Sequence, residues 1–258
     1  MIYYKYEDLE NNYIIENETL TLNNISNPEC VYELIFESIL EDSIENLDKF
    51  INLKYLYCNN NKLIKLPNLD NLTKLVVLKC QNNNLSILPN LDKLTQLKYL
   101  ICSNNKLINL PNIDNLIHLK FLYCNYNNLE YLPNLDKCIN LQILSCFNNN
   151  LTYLPNLNYL KKIQSLNVQH NKLSILPDLT NCVKLSDINC FNNELKTLPN
   201  LDTITNLKIL SCFNNKITQL PNLNLCCKLI QLYCFNNLIE INKIQNLNKL
   251  ENLQYYLK

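Results

Sequence analysis

Thirteen cysteines and two histidines are the residues of this 258-residue sequence best suited to nucleophilic or metal chemistry. In a small secreted chain so many cysteines would predict a disulfide framework. Their spacing predicts something else. Cys58, Cys80, Cys102, Cys124, Cys146, Cys190, Cys212 and Cys234 fall on one 22-residue period, and Val168 stands where the missing member belongs. A position that takes Cys and Val interchangeably is a small buried apolar slot, in which a free thiol behaves as a hydrophobe. Copies on adjacent strands lie ~4.8 Å apart. That separation would admit a disulfide, but parallel Cβ vectors would not suit one, so reduced core thiols are expected. No C-x-x-C or H-x-x-x-H spacing offers a metal site. His118 and His170 occupy different points of the period, and no carboxylate or nucleophile recurs beside either. General acid–base work needs paired groups within hydrogen-bond reach. The sequence therefore predicts a protein that is not an enzyme and takes no cofactor and no metal.

The remaining composition narrows the partner. Lysine supplies all 23 basic residues, balanced by 23 acids, and glycine is absent. Without arginine there is no bidentate fork for phosphate or guanine edges, and without glycine no phosphate-cradling loop, so nucleic acid is not expected as a partner. The N-terminus, MIYYKYEDLENN, has no apolar run of signal-peptide length, and no stretch approaches the ~18 apolar residues of a membrane span. The reading is an intracellular protein with no membrane contact. Sequons at Asn17, Asn24, Asn71, Asn84 and Asn150 then follow from the abundance of asparagine.

The elements that carry these residues come from the period. The first leucine-like residue of each copy is Leu53, Leu75, Leu97, Leu119, Leu141, Ile163, Leu185, Leu207 or Leu229. Counting that residue as position 1, positions 4 and 6 are apolar, as Leu56 and Cys58. Side chains alternate along a strand, so Leu56 and Cys58 point inward while Tyr55, Tyr57 and Asn59 point out. Position 9 is asparagine in every copy: Asn61, Asn83, Asn105, Asn127, Asn149, Asn171, Asn193, Asn215 and Asn237. Here the chain leaves the strand, and an inward carboxamide can satisfy buried backbone groups and bridge coils. This ladder is assigned to structure. Leu-Pro-Asn-Leu follows, as in Leu66 to Leu69, with Asp178 once replacing the asparagine. Proline lacks an N–H and breaks helices, so the convex side should hold extended chain and single 3₁₀ turns.

The ends depart from the pattern. Residues 1–52 form an N-terminal segment whose part 31–52 reads as a degenerate capping repeat, with Val31, Leu34, Phe36, Ile44, Leu47 and Phe50 in core register and Ile39 at position 9 in place of the asparagine. Glu18–Ile25 alternates Leu20 and Leu22 and is expected as a short strand. The regular repeats occupy 53–237. Residues 238–258 read as a C-terminal cap, with Ile241, Ile244 and Leu247 in the core and Leu250, Leu253 and Tyr255 as a tenth strand.

The motif L-x-x-L-x-C-x-N-N-x-L-x-x-L-P-N-L over Leu53–Asn237 resembles leucine-rich repeat proteins of the 22-residue class, such as phosphatase regulators and bacterial internalins. The cysteine at position 6, the L-Y-C-x-N-N strings and the Asn/Ile/Lys/Tyr bias also resemble leucine-rich repeat proteins of giant amoeba-infecting DNA viruses. The resemblance implies the α/β class, a leucine-rich repeat solenoid or horseshoe whose parallel β-sheet lines the concave face. It implies a module that binds protein and does no chemistry. A viral member would work in the cytoplasm of its host cell.

Function then lies on outward strand positions. Tyr55, Tyr99 and Phe121 occupy position 3, and Tyr57, Tyr123 and Tyr233 position 5. Phe147, Phe191, Phe213 and Phe235 occupy position 7, and Tyr126 position 8. Exposed aromatics are common interface anchors, although the phenylalanines could equally stack on one another in support of the solenoid. Lys54, Lys79, Lys98, Lys120 and Lys208 face the concave side against Asp187, and Asp70, Asp92, Asp114, Asp136 and Asp202 line the back. A protein partner with an acidic segment matches that field, and the chain is expected to be monomeric. Two other readings stay open: a substrate-recognition adaptor for ubiquitin ligation working through residues 1–50, and a structural component of a particle.

Overall fold

A computed structural model describes residues 1–6, 13–15, 22–39, 42–240 and 254–256. One continuous sheet runs from end to end. Its strands are β1 (Ile2–Tyr6), β2 (Tyr13–Ile15), β3 (Val31–Phe36), β4 (Tyr55–Tyr57), β5 (Val77–Lys79), β6 (Tyr99–Ile101), β7 (Phe121–Tyr123), β8 (Ile143–Ser145), β9 (Ser165–Asn167), β10 (Asp187–Asn189), β11 (Ile209–Ser211), β12 (Gln231–Tyr233) and β13 (Gln254–Tyr256). From β3 to β13 neighbours in sequence are neighbours in space and run parallel. The register does not slip within the repeats: Leu34, Leu56, Leu78, Leu100, Leu122, Leu144 and Leu166 lie opposite one another in turn. A slip of one residue would swing every core leucine to the wet face.

The core is a stack of identical layers. In the repeat beginning at Leu97, the side chains of Leu97, Leu100, Cys102, Leu107, Leu110, Ile113 and Leu116 are all buried. Burying one such leucine is worth about 1.5–3 kcal/mol, but an isolated layer has no neighbour to bury against, so stability accrues at the interfaces between layers. The convex return is made of successive tight turns. Leu72 N donates to Leu69 O and Leu75 N to Leu72 O, both at 2.9 Å, and equivalent pairs recur down the chain. Among the described residues helix is limited to the 3₁₀ turns Leu22–Asn24, Pro28–Cys30 and Leu47–Lys49. The proline and the short return leave no room for a full α-helical turn.

The asparagine of Leu-Pro-Asn-Leu also acquires a reason. Asn68 Oδ1 accepts from the backbone N–H of Asp70 at 2.8 Å, and Asn90, Asn112, Asn134, Asn156, Asn200 and Asn222 repeat the contact. Asp178 does the same for Thr180 at 3.0 Å. An Asx turn needs only a short side-chain acceptor, which is why aspartate substitutes there.

The N-terminal end differs from the sequence expectation. The first residues form β1, which enters the sheet antiparallel between β2 and β3, with Ile2 opposite Phe36 and buried. It covers the free edge of β3, which would otherwise present unpaired N–H and C=O groups. Of the strand expected over Glu18–Ile25, residues 18–21 lie outside the described residues; in the described part Leu22–Asn24 is a 3₁₀ turn rather than a strand, with Leu22 and Ile25 buried. One tight turn, with Ile25 N donating to Leu22 O at 3.2 Å, brings both side chains to the core without a strand. Val31, Leu34, Phe36, Ile39, Ile44, Leu47 and Phe50 are all buried. At the C-terminal end Tyr255 lies in β13, paired with Leu232. Ile241, Ile244, Leu247, Leu250 and Leu253 lie outside the described residues.

Candidate interaction surface

The position-9 carboxamides sit under the sheet's rim and fix its outer face. Asn127 is typical. Its Oδ1 accepts from Leu107 N at 3.0 Å, and its Nδ2 donates to the carbonyls of Cys102 and Cys124 at 3.1 Å and of Asn125 at 3.3 Å. Leu107 and Cys102 belong to the preceding repeat, so each asparagine ties its coil to the one before it. The same pattern holds from Asn61, which caps Ile39 N, to Asn237, which caps Ile217 N.

Every cysteine of the described residues is free, and the eight at position 6 are buried. Some thiols donate weakly to a neighbouring strand, as Cys58 Sγ does to Lys79 O at 3.4 Å. Burial removes solvation from the thiolate and pushes Cys58, Cys102, Cys146 and Cys190 up to about 12. A thiol held protonated is a poor nucleophile and a poor metal ligand. The ladder is core.

Above it, the outward side chains divide into groups. In the first, Tyr32 meets Tyr55 edge-on at 6.2 Å and Tyr55 lies parallel to Tyr57 at 6.4 Å. Lys79 Nζ sits 4.9 Å over the Tyr57 ring. Burial first, then the Glu33 charge and Tyr55, raises the Tyr57 hydroxyl above its ordinary value. Glu33 itself pairs with Lys5 at 3.1 Å, so the capping strands bring an acid to a face that the repeats alone make basic. In the second group Tyr99 stacks on Phe121 at 4.8 Å, and Phe121 is parallel to Tyr123 at 6.5 Å. β5 separates the two groups. Tyr233 stands apart on β12, five strands beyond Tyr123.

The phenylalanines also separate. Phe191, Phe213 and Phe235 stack at 4.3 and 4.5 Å with planes about 10° apart, each ring resting on the next. Phe147 is not part of that pile. It meets Tyr126 edge-on at 5.1 Å, just as Phe191 meets His170 at 5.2 Å. Gln169 occupies position 7 between them.

The rim holds a feature that sequence reasoning passed over. Position 8 has positive φ, 51° to 58°, in all nine repeats: Asn60, Asn82, Asn104, Tyr126, Asn148, His170, Asn192, Asn214 and Asn236. This left-handed conformation favours glycine, and asparagine is the next choice. In a chain without glycine, a column of asparagines was the available signal. Their carboxamides bond along the column: Asn104 donates to Asn82 at 2.8 Å and Asn236 to Asn214 at 2.7 Å.

No protein-family model matches the sequence, and no curated protein matches it. Solved structures do. The chain is similar to the functional domain of InlJ from Listeria monocytogenes, which includes a cysteine ladder, at 27% identity and TM-score 0.62, over 82% of this chain and 49% of that one. It is similar to YopM, a leucine-rich effector protein from Yersinia pestis, at 30% identity and TM-score 0.67, over 87% of this chain and 65% of that one. It is similar to the plant peptide hormone receptor RGFR1, solved in complex with RGF2, at 28% identity and TM-score 0.72, over 82% and 36% of the two chains. The chain thus spans about half of the InlJ domain and less than two-thirds of the YopM chain. The fold is a leucine-rich repeat horseshoe. Among the described residues no helix is long and apolar enough to cross a membrane.

Proposed function

We propose that this chain is a non-enzymatic binding module that holds a protein partner on the concave face of its sheet. The observation that carries the reading is the arrangement of Tyr99, Phe121 and Tyr123: three half-buried rings in parallel planes on the outward side of β6 and β7, beside Lys98 and Lys120. Two rings stacked at 4.8 Å present a flat apolar platform at little cost in side-chain entropy, a usual interface anchor. Adjacent ammonium groups suit a partner segment that carries carboxylates. A leucine-rich repeat receptor solved with a peptide hormone on it supports a polypeptide ligand. We take the working form to be a monomer in the cytoplasm, of an amoebal host if the chain is viral. Ile2–Tyr6 are engaged as a sheet strand, with Ile2 in the core, which favours the concave face over an adaptor role for the N-terminal segment.

The test is capture from amoebal lysate by wild type and by a Tyr57/Tyr99/Tyr123 triple alanine variant with unchanged melting. A partner held by wild type and lost by the variant is the expected result. A partner retained by the variant would refute the assignment of the tyrosine groups.

A further inference from the structure

The position-8 column is broken at two places, and the breaks isolate one residue. Asn60, Asn82 and Asn104 are linked by carboxamide hydrogen bonds. Asn192, Asn214 and Asn236 form a second linked run that ends on the His170 ring. Asn148 lies between Tyr126 and His170, and among the described residues its carboxamide has no hydrogen-bond partner. Tyr126 forfeits the bonds that asparagine would make there, and His170 keeps only its ring contact with Asn192. They also hold φ at 54° with a full side chain, which costs about 1–2 kcal/mol each relative to a right-handed conformation. Tyr126 leaves 52% of its surface in water, so burial does not repay this. Strain kept at an exposed site, where the common residue of the column would relieve it, points to a role other than folding.

What the two rings create is specific. Each leans edge-on against a phenylalanine of the following repeat, Tyr126 on Phe147 and His170 on Phe191. Between the pairs lie Asn148 and Gln169, across two strand spacings or ~10 Å. The strands beneath, β8 and β9, carry Ile143, Ser145, Ser165 and Asn167 and no charge. A carboxamide offers one donor edge and one acceptor, which complements the C=O and N–H of a peptide group. The uncharged floor fits a neutral main chain better than an anion. An extended chain rises ~3.3 Å per residue, so about three residues would span the gap and set side chains on both aromatic pairs.

We propose that Tyr126, Asn148 and His170 form a rim site that clasps an extended polypeptide segment of the partner, with Asn148 pairing to its main chain and the flanking rings receiving its side chains. This rests on the reading of the chain as a protein-binding module and adds a second contact on the rim, running from the repeat of Tyr123 to the second repeat beyond it.

The test uses N-acetylphenylalanine methylamide, which joins one ring to two peptide groups, titrated into the ¹⁵N-labelled full chain. The side-chain NH₂ signal of Asn148, identified by its loss in Asn148→Gly, should shift on addition of the probe at millimolar concentration. The glycine variant tolerates the left-handed backbone and should fold normally, yet the backbone shifts of Gln169 should vanish in it. The double variant Tyr126→Asn/His170→Asn should melt higher, by at least about 4 °C, and lose most of the probe-induced shift. A probe that moves signals of Tyr57, Tyr99 and Tyr123 but not Asn148 would overturn the rim site and leave the concave-face reading in place. Lower melting of the double variant, or no shift at any outward residue, would also overturn it.

Discussion

Replacing Asn127 by alanine tests the carboxamide ladder at one rung, and the structure says which atoms are left unpaired. Three carbonyls lose a donor, but each has another: Cys102 O keeps Asn105 Nδ2, Cys124 O keeps Asn149 Nδ2, and Asn125 O keeps the N–H of Asn104. The N–H of Leu107 has no second acceptor, because its bond at 3.0 Å goes to Asn127 Oδ1. Leu107 is fully buried, so water cannot replace the lost acceptor. One orphaned buried N–H costs about 1–3 kcal/mol, and that is the expected loss, below the sum of the four bonds removed. Urea unfolding should show a lower midpoint with an unchanged slope, and hydrogen exchange should show the Leu107 amide losing protection before its neighbours. Asn127→Asp separates acceptor from donor. It keeps the bond to Leu107 but turns a buried negative charge toward three carbonyls, so it should destabilise more than alanine does. An alanine variant with wild-type midpoint and a still-protected Leu107 amide would refute the ladder argument.

The thiol ladder predicts alkaline sensitivity. Burial raises these thiols from an ordinary value of 9.0 to about 12 for Cys58, Cys102, Cys146 and Cys190. The folded state therefore binds protons that the unfolded state releases, so stability is intact below pH 9 and falls as pH rises toward 12. At pH 10 each such thiol costs about 1.4 kcal/mol, and unfolding followed by circular dichroism should begin between pH 9 and 10. Retention of structure at pH 11 would contradict this. At the convex turns, Asn134→Ala should cost about 1 kcal/mol by removing the acceptor for Asp136 N, while Asn134→Asp should cost less, because Asp178 makes the same contact to Thr180 N; equal melting of all three forms would show that the turn does not need the bond.

The sequence by itself determined the repeat, the inward face and the state of the cysteines. These follow from volume and alternation within a few consecutive residues: Leu56 and Cys58 must share a side of the strand, Val168 can replace a thiol only in an apolar slot, and Pro67 forbids a helix nearby. The tertiary structure decided how copies meet. That Tyr99 stacks on Phe121 while Phe147 leaves the phenylalanine pile depends on side chains 22 residues apart coming to one strand spacing, and on Gln169 at a single site between them. The left-handed position 8, the isolation of Asn148 and the capping of β3 by β1 depend likewise on backbone geometry and sheet edges. A period sets which residues superpose, but their mutual contacts arise only when the coils are stacked.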